Sequence, residues 1–200
     1  MATATKRSRR VAQGRIASSL NLLFTFAFFL SLSSQAFSTM IDLLLSVEAE
    51  NVGKIGVEAG HAFFLRLRCT QCQEDSPNAV GVSREMKVEG IRGASVNLQI
   101  KCKGCGRVHD VSLDSERPEG EWEAGGPDGQ RIASFECRGM EPMECEVRDG
   151  FYVVAPDGTK FEDADLSDDW MEVDAKGNPI SISNAKYSFV GTKGGGKKKK

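Results

Sequence analysis

The sequence predicts an all-β protein built from short antiparallel strands. Two observations support this fold class: helical periodicity is almost absent after residue 40, and short apolar runs recur between glycine, proline and aspartate residues. A third observation concerns chemistry. Two Cys-x-x-Cys pairs, Cys69–Cys72 and Cys102–Cys105, follow predicted strands, so we expect a metal site in the first part of the β structure.

Apolar runs bounded by turn-forming residues define the predicted strands and the organisation of the chain. The predicted strands are 41–49, 62–68, 80–84, 95–101, 107–113, 132–137, 151–155 and 186–190. The segment 114–130 is rich in proline and glycine, carries Trp122 as its one large anchor, and predicts a linker or long loop. The predicted organisation is an extension at 1–39, a zinc-bearing β half at 40–113, the linker at 114–130, a second β half at 131–191 and a flexible Gly/Lys tail at 192–200.

The charge distribution bears on the choice of partner. Residues 40–196 contain 17 basic and 28 acidic residues, which gives this body a formal charge of −11. Phosphate binding needs a basic face, so the acidic body argues against nucleic acid as the partner. The segment 107–113 after the second cysteine pair alternates like a strand, whereas zinc modules that read DNA present a helix.

Residues 1–39 have the layout of a secretory signal peptide. Five basic residues and no acidic residue precede or flank an apolar run at 20–32, and small residues follow at 34–36. The run is shorter than the roughly 20 residues of a membrane span. No stable membrane span is expected in the mature body. Met40 offers an alternative start, which would make 1–39 an extension from a wrong start site. We therefore expect a cytoplasmic protein if translation starts at Met40, and a secretory or organellar one if 1–39 is a targeting segment.

The two cysteine pairs supply four sulfur ligands, which suit one tetrahedral Zn²⁺. A site filled by Cys69, Cys72, Cys102 and Cys105 leaves no position for an activated water, and closed sites of this kind stabilise folds. The sequence thus predicts one structural zinc ion per chain. The 29 residues between the pairs exceed the roughly 15–20 of common patterns, so two redox dithiols or two local disulfides stay open as alternatives.

Few residues are available for catalysis. His61 and His109 could in principle replace a sulfur, but with four cysteines present both are expected to be ordinary surface or strand histidines. Neither lies in a nucleophile–base motif. The glycine-rich segment 125–129 lacks the Lys-Ser/Thr that grips phosphate. The acidic run 163–169 lacks the order of ligands in an EF-hand, which favours a solvated loop. We expect no enzyme, no catalytic residue and no organic cofactor.

The sequence is compatible with three functions. The leading one is a zinc-binding β protein with a structural site that acts by binding other proteins. The first alternative is a thiol-based metal carrier or redox protein, because lysine and arginine residues flank both cysteine pairs and favour thiolates. The second alternative is a secreted disulfide protein, in which Cys137 and Cys145 could pair.

Three blocks carry a family resemblance, in a fixed order and at fixed intervals. They are Leu65–Cys72, Gln99–Arg107 and Phe135–Pro142, and the match continues through Phe161–Leu166 and Trp170–Ser183. In these blocks the chain resembles the eukaryotic CXXC motif containing zinc binding protein family over roughly residues 40–191. The resemblance implies a small all-β protein with two similar β halves and one zinc on the first. It also implies that the four family ligands correspond to Cys69, Cys72, Cys102 and Cys105.

The chain departs from the family pattern in three places. It has the leading extension, whereas family members usually begin near the position of Met40 in a cytosolic-type context. It has Gln73 where a glycine is expected after Cys72, which predicts a less typical first turn and a more loosely held metal. It also carries an additional thiol at Cys145.

Overall fold

The computed structural model describes residues 38–192, which form antiparallel strands and no helix. The strands are β1 (Ser38–Glu50), β2 (Lys54–Val57), β3 (Ala62–Cys69), β4 (Val80–Ser83), β5 (Val88–Glu89), β6 (Ser95–Val96), β7 (Leu98–Lys101), β8 (Val108–Leu113), β9 (Glu121–Glu123), β10 (Gln130–Arg138), β11 (Met140–Glu146), β12 (Phe151–Val154), β13 (Lys160–Ala164), β14 (Trp170–Val173) and β15 (Pro179–Thr192). The predicted all-β class is confirmed. The expectations for the leading extension before residue 38 and for the tail after 192 lie outside the described residues.

The strands form three larger sheets and one small hairpin. A six-stranded sheet has the order β14-β15-β1-β10-β8-β7, a four-stranded sheet has the order β13-β12-β2-β9, and a three-stranded sheet has the order β11-β3-β4. The hairpin pairs β5 with β6. Across residues 38–192, no helix is long and apolar enough to cross a membrane.

The first and last strands of the described residues pair with each other. On β1, Leu43 lies opposite Ala133 of β10 on one side and opposite Phe189 of β15 on the other. The segments 40–113 and 131–191 each contribute strands to all three larger sheets, so the two sequence segments do not correspond to separate sheets. With a strand on each side, β1 has its backbone groups paired along both edges, while its alternating apolar face lies in the core.

Six observed strands were not among the predicted ones: β2, β5, β9, β11, β13 and β14. They are short or rich in charged residues, so their apolar pattern is weak and pairing with a neighbour defines them. β9 lies within the segment 114–130 expected to be a linker. Its Trp122 lies opposite Ile55 of β2 and packs against the core.

The core contains the large side chains that the pattern of alternation points inward. Phe63 of β3 and Phe135 of β10 are both buried, and their rings meet edge to face with centroids 5.6 Å apart. Leu65 and Leu67 follow Phe63 on the same face of β3 and are fully buried. Burying each such side chain contributes about 1.5–3 kcal/mol, and this face fixes the position of β3 up to its last residue, Cys69.

Candidate metal centre

The first cysteine pair occupies a tight turn at the end of β3. Cys69 closes the strand, its carbonyl accepts a hydrogen bond from the Gln73 N–H at 2.9 Å, and its own N–H donates to the Glu74 carbonyl at 2.9 Å. Gln73 adopts a left-handed backbone with φ of 63°. This turn brings Cys72 back over Cys69.

The second cysteine pair forms the same turn between β7 and β8. The Cys102 carbonyl accepts from the Gly106 N–H at 3.0 Å, and the Cys102 N–H donates to the Arg107 carbonyl at 2.8 Å. Gly106 has a φ of 72°, so it occupies the position that Gln73 occupies in the first turn. The missing glycine after Cys72 therefore does not change the form of the turn. Gln73 adopts the conformation that glycine reaches without steric cost.

The structure brings the four thiols together. Cys69 Sγ lies 3.8 Å from Cys105 Sγ, Cys72 Sγ lies 3.5 Å from Cys102 Sγ, and all four sulfurs lie within 4.8 Å of one another. Four sulfurs at about 2.3 Å from one zinc ion in a tetrahedron are about 3.8 Å apart, so the spacing fits such an ion. Across residues 38–192, no other group of three or more His, Cys, Asp or Glu side chains is placed to hold a metal.

Burial differs between the two members of each pair. Cys69 and Cys102 are buried, whereas Cys72 and Cys105 are exposed. On the exposed side, Arg107 Nη1 donates to Gln71 Oε1 at 2.7 Å and connects the two turns. The cluster thus has two thiols within the protein and two at its surface.

Backbone N–H groups lower the pKa of one of the four thiols, Cys102. The Cys105 N–H, with that of Gly104, donates to the Cys102 sulfur and lowers the pKa of Cys102 to about 7, despite its burial. The Glu74 N–H lowers the pKa of Cys72. The neighbouring Cys102 thiol and desolvation outweigh this effect, and the resulting pKa of Cys72 is raised to about 12. Four thiolates cannot be held at this spacing without a cation, and a bound metal deprotonates its thiol ligands.

His109 contacts the cluster, although the sequence favoured an ordinary surface or strand histidine. It lies on β8, as expected of a strand histidine, but its Nε2 is 3.4 Å from Cys69 Sγ. Desolvation lowers the pKa of His109, and the Arg138 carbonyl accepts a hydrogen bond from its ring. No local sequence signal marks this contact, because it arises only when β3 and β8 approach each other.

The block Phe135–Pro142 supports the first turn through its backbone. The Gly139 carbonyl accepts from both the N–H and the Oγ1 of Thr70, each at 3.1 Å, and Met140 pairs with Cys69 in the β3–β11 ladder. Gly139 has a φ of 81°, and a Cβ there would overlap the ring of His109. This block provides no sulfur to the cluster, but it positions Cys69 and His109.

The remaining candidate residues lie away from the cluster. Cys137 and Cys145 are buried unpaired thiols, and burial raises the pKa of each to about 12, which makes them poor nucleophiles. His61 packs against Phe63 and Phe151, and its Nδ1 lies 3.2 Å from the Gly150 carbonyl. All six cysteines are free in the structure.

The fold and the cluster define a class of protein: an all-β protein with four cysteines arranged to hold a metal ion. The sequence pattern of the eukaryotic CXXC motif containing zinc binding protein family matches residues 42–190, and the chain belongs to this family. The UPF0587 protein CG4646 of Drosophila melanogaster is 36% identical over 147 residues, 69% of this chain and 88% of that protein. The Homo sapiens protein named CXXC motif containing zinc binding protein is 28% identical over 156 residues, 75% of this chain and 97% of that protein.

Solved structures share the fold. The crystal structure of C1orf123 superposes with a TM-score of 0.70 at 28% identity, and the match covers 76% of this chain and 99% of that one. A hypothetical protein from Plasmodium falciparum superposes with a TM-score of 0.68 at 18% identity, over 76% of this chain and 99% of that one, and this likeness concerns the fold alone.

Proposed function

We propose that this chain binds one zinc ion per molecule through Cys69, Cys72, Cys102 and Cys105, and that it acts by binding other proteins. The observation that carries the zinc proposal is the sulfur spacing, which matches a tetrahedral ion. A Cys₄ site is coordinatively full, which favours a structural role over catalysis. Zinc held by thiolates also favours a reducing compartment over an oxidising one.

Metal analysis of the purified full chain tests the first part of the proposal. We expect about one zinc per chain, and spectroscopy of a cobalt-substituted sample should show tetrahedral thiolate coordination. The variant Cys145→Ser is the control, because this buried thiol lies outside the cluster. A fully folded wild-type chain that contains no metal would overturn the proposal.

Cross-linking in cells at native expression, followed by sizing of the purified assembly, tests the second part. We expect the zinc-loaded chain in a complex of fixed stoichiometry with another protein, and we expect the complex to dissociate when zinc is removed and the fold is lost. A chain that is found only as free monomer under these conditions would count against a role in protein binding.

The exposure of Cys72 and Cys105 favours one alternative, a thiol-based metal carrier or redox protein. Exposed thiolates near Lys103 and Arg107 are accessible to a competing ligand or oxidant. Transfer of zinc to a weak chelator within seconds, or rapid thiol labelling with zinc bound, would favour the carrier. Cysteines that react only after a strong chelator is added would favour the structural site.

A further inference from the structure

The strand β14 has an open edge. It is the outermost strand of the six-stranded sheet, and within residues 38–192 it pairs only with β15. Hydrogen-bonded pairs alternate along an antiparallel ladder. The Asp174 N–H donates to the Asn178 carbonyl at 3.0 Å, and Pro179, opposite Val173, has no N–H to donate. By this alternation, Met171 and Val173 direct their backbone groups away from β15, toward the open edge.

The side chains on this strand are of two kinds. Met171 is 75% exposed and Val173 is 56% exposed, and both lie on one face of the strand. On the other face, Trp170 packs against the Phe161 ring with centroids 5.5 Å apart, which anchors the strand to β13. An anchored strand that combines free backbone groups with exposed apolar side chains is a template for the addition of another strand.

Charge on this edge decides which partner fits. Asp168, Asp169 and Glu172 are exposed, and none of them forms an ion pair within the described part of the chain. Pairing of β14 with a second copy of itself would bring these carboxylates together, and like charges across a strand pair are destabilising. The acidic body adds to this repulsion and attracts a cationic partner.

We propose that β14 accepts an extended segment of another protein in which lysine or arginine alternates with apolar residues. The segment adds one strand to the six-stranded sheet. Because strand side chains alternate with a period of two, its apolar residues lie beside Met171 and Val173 while its basic residues lie beside Glu172. This inference rests on the proposed function, that the chain acts by binding proteins.

The test uses the zinc-loaded full chain and a capped ten-residue peptide of alternating arginine and valine. We expect amide shifts in the ¹⁵N spectrum that saturate with peptide and are centred on residues 168–173. A peptide with glutamate in place of arginine should not bind. The arginine peptide with N-methyl groups on alternate backbone nitrogens should bind at least tenfold more weakly, because it cannot complete the ladder.

Two variants separate strand addition from simple charge attraction. Met171→Pro removes an N–H that faces the open edge, and the triple variant Asp168→Asn, Asp169→Asn, Glu172→Gln removes the charge. Each should weaken binding at least fivefold. The matched control Val88→Ser, Ile91→Ser changes two exposed apolar residues far along the sequence and should bind as the wild type does. Zinc content and melting temperature show whether each variant is folded.

Several results would overturn the inference. Equal binding by the wild type and the triple variant, or no loss on N-methylation, would exclude strand addition to an acidic edge. Protection of the Met171 and Val173 amides from hydrogen exchange without peptide would show that another part of the chain already covers the edge. Shifts at a different surface would overturn the assignment to β14 but leave the proposed protein-binding function intact.

Discussion

Replacing Cys102 by serine removes one sulfur from the cluster and leaves the surrounding strands in place. The Cys102 sulfur lies 3.5 Å from Cys72 Sγ and accepts from the backbone N–H of Cys105. Structural zinc contributes about 10–16 kcal/mol of binding energy that is also folding energy, so one of four ligands corresponds to about 3 kcal/mol. For a domain of this size the melting temperature should fall by about 6–12 °C.

The control is Cys145→Ser, which changes an equally buried thiol outside the cluster. Its hydroxyl has the Glu146 carbonyl near it as an acceptor, so we expect the smaller loss, about 1–2 kcal/mol. Both variants are melted by calorimetry with zinc and again after a strong chelator. After the chelator, neither variant should show the cooperative transition of the zinc-loaded chain, because zinc binding supplies folding energy. Equal melting temperatures in the presence of zinc would refute the assignment of Cys102 as a ligand.

Substitutions at the two turns, at His109 and at Glu136 should each have a distinct effect. Gly106→Ala should destabilise the fold by about 1 kcal/mol, because alanine is strained at a φ of 72°. Gln73→Gly should be neutral or stabilise the fold. Thermal melts that reverse this order would contradict the equivalence of the two turns. His109→Phe should keep the fold but release zinc to a chelator several-fold faster, because the Cys69 sulfur loses its contact with the ring nitrogen Nε2. An unchanged rate of release would remove His109 from the site. Burial opposes ionisation of Glu136, but hydrogen bonds from Ser38 and Arg138 outweigh it and lower the pKa of Glu136. The stabilisation of the fold by the ionised carboxylate is therefore complete above pH 4.5 and is lost as the pH falls through the lowered pKa. A Glu136→Gln variant with the same acid-unfolding profile as the wild type would show that the Glu136–Arg138 pair contributes nothing to stability.

Local sequence was sufficient for the elements that depend on neighbours in the chain. The alternation in 62–68 predicted β3, and the Cys-x-x-Cys spacing predicted two similar turns, because both patterns operate over a few residues. The departure at Gln73 predicted a less typical first turn, but the structure has the same hydrogen bonds in both turns. A side chain can adopt a left-handed backbone where surrounding bonds hold it, and composition does not reveal this.

Contacts across long stretches of chain were not predictable from the same patterns. The Thr70–Gly139 hydrogen bonds join residues 69 positions apart, and they explain why the block Phe135–Pro142 accompanies the cysteine pairs without supplying a ligand. The pairing of β1 with both β10 and β15 is of the same kind. Strand register over such separations depends on the mutual fit of many side chains, which no short segment encodes.

By itself, the sequence determined that this is a β protein with four thiols in two tight pairs, since spacing within a turn fixes how close two neighbouring sulfurs can come. The sequence predicted that the two pairs share one ion, but only the tertiary structure brings them together. The pairs are separated by 29 residues, so β3 and the strands beside the second pair must first pack near each other. It also decided that His109 touches Cys69 and that β14 presents a free edge. These last two features depend on which strands become neighbours, and long-range packing of the core sets that order.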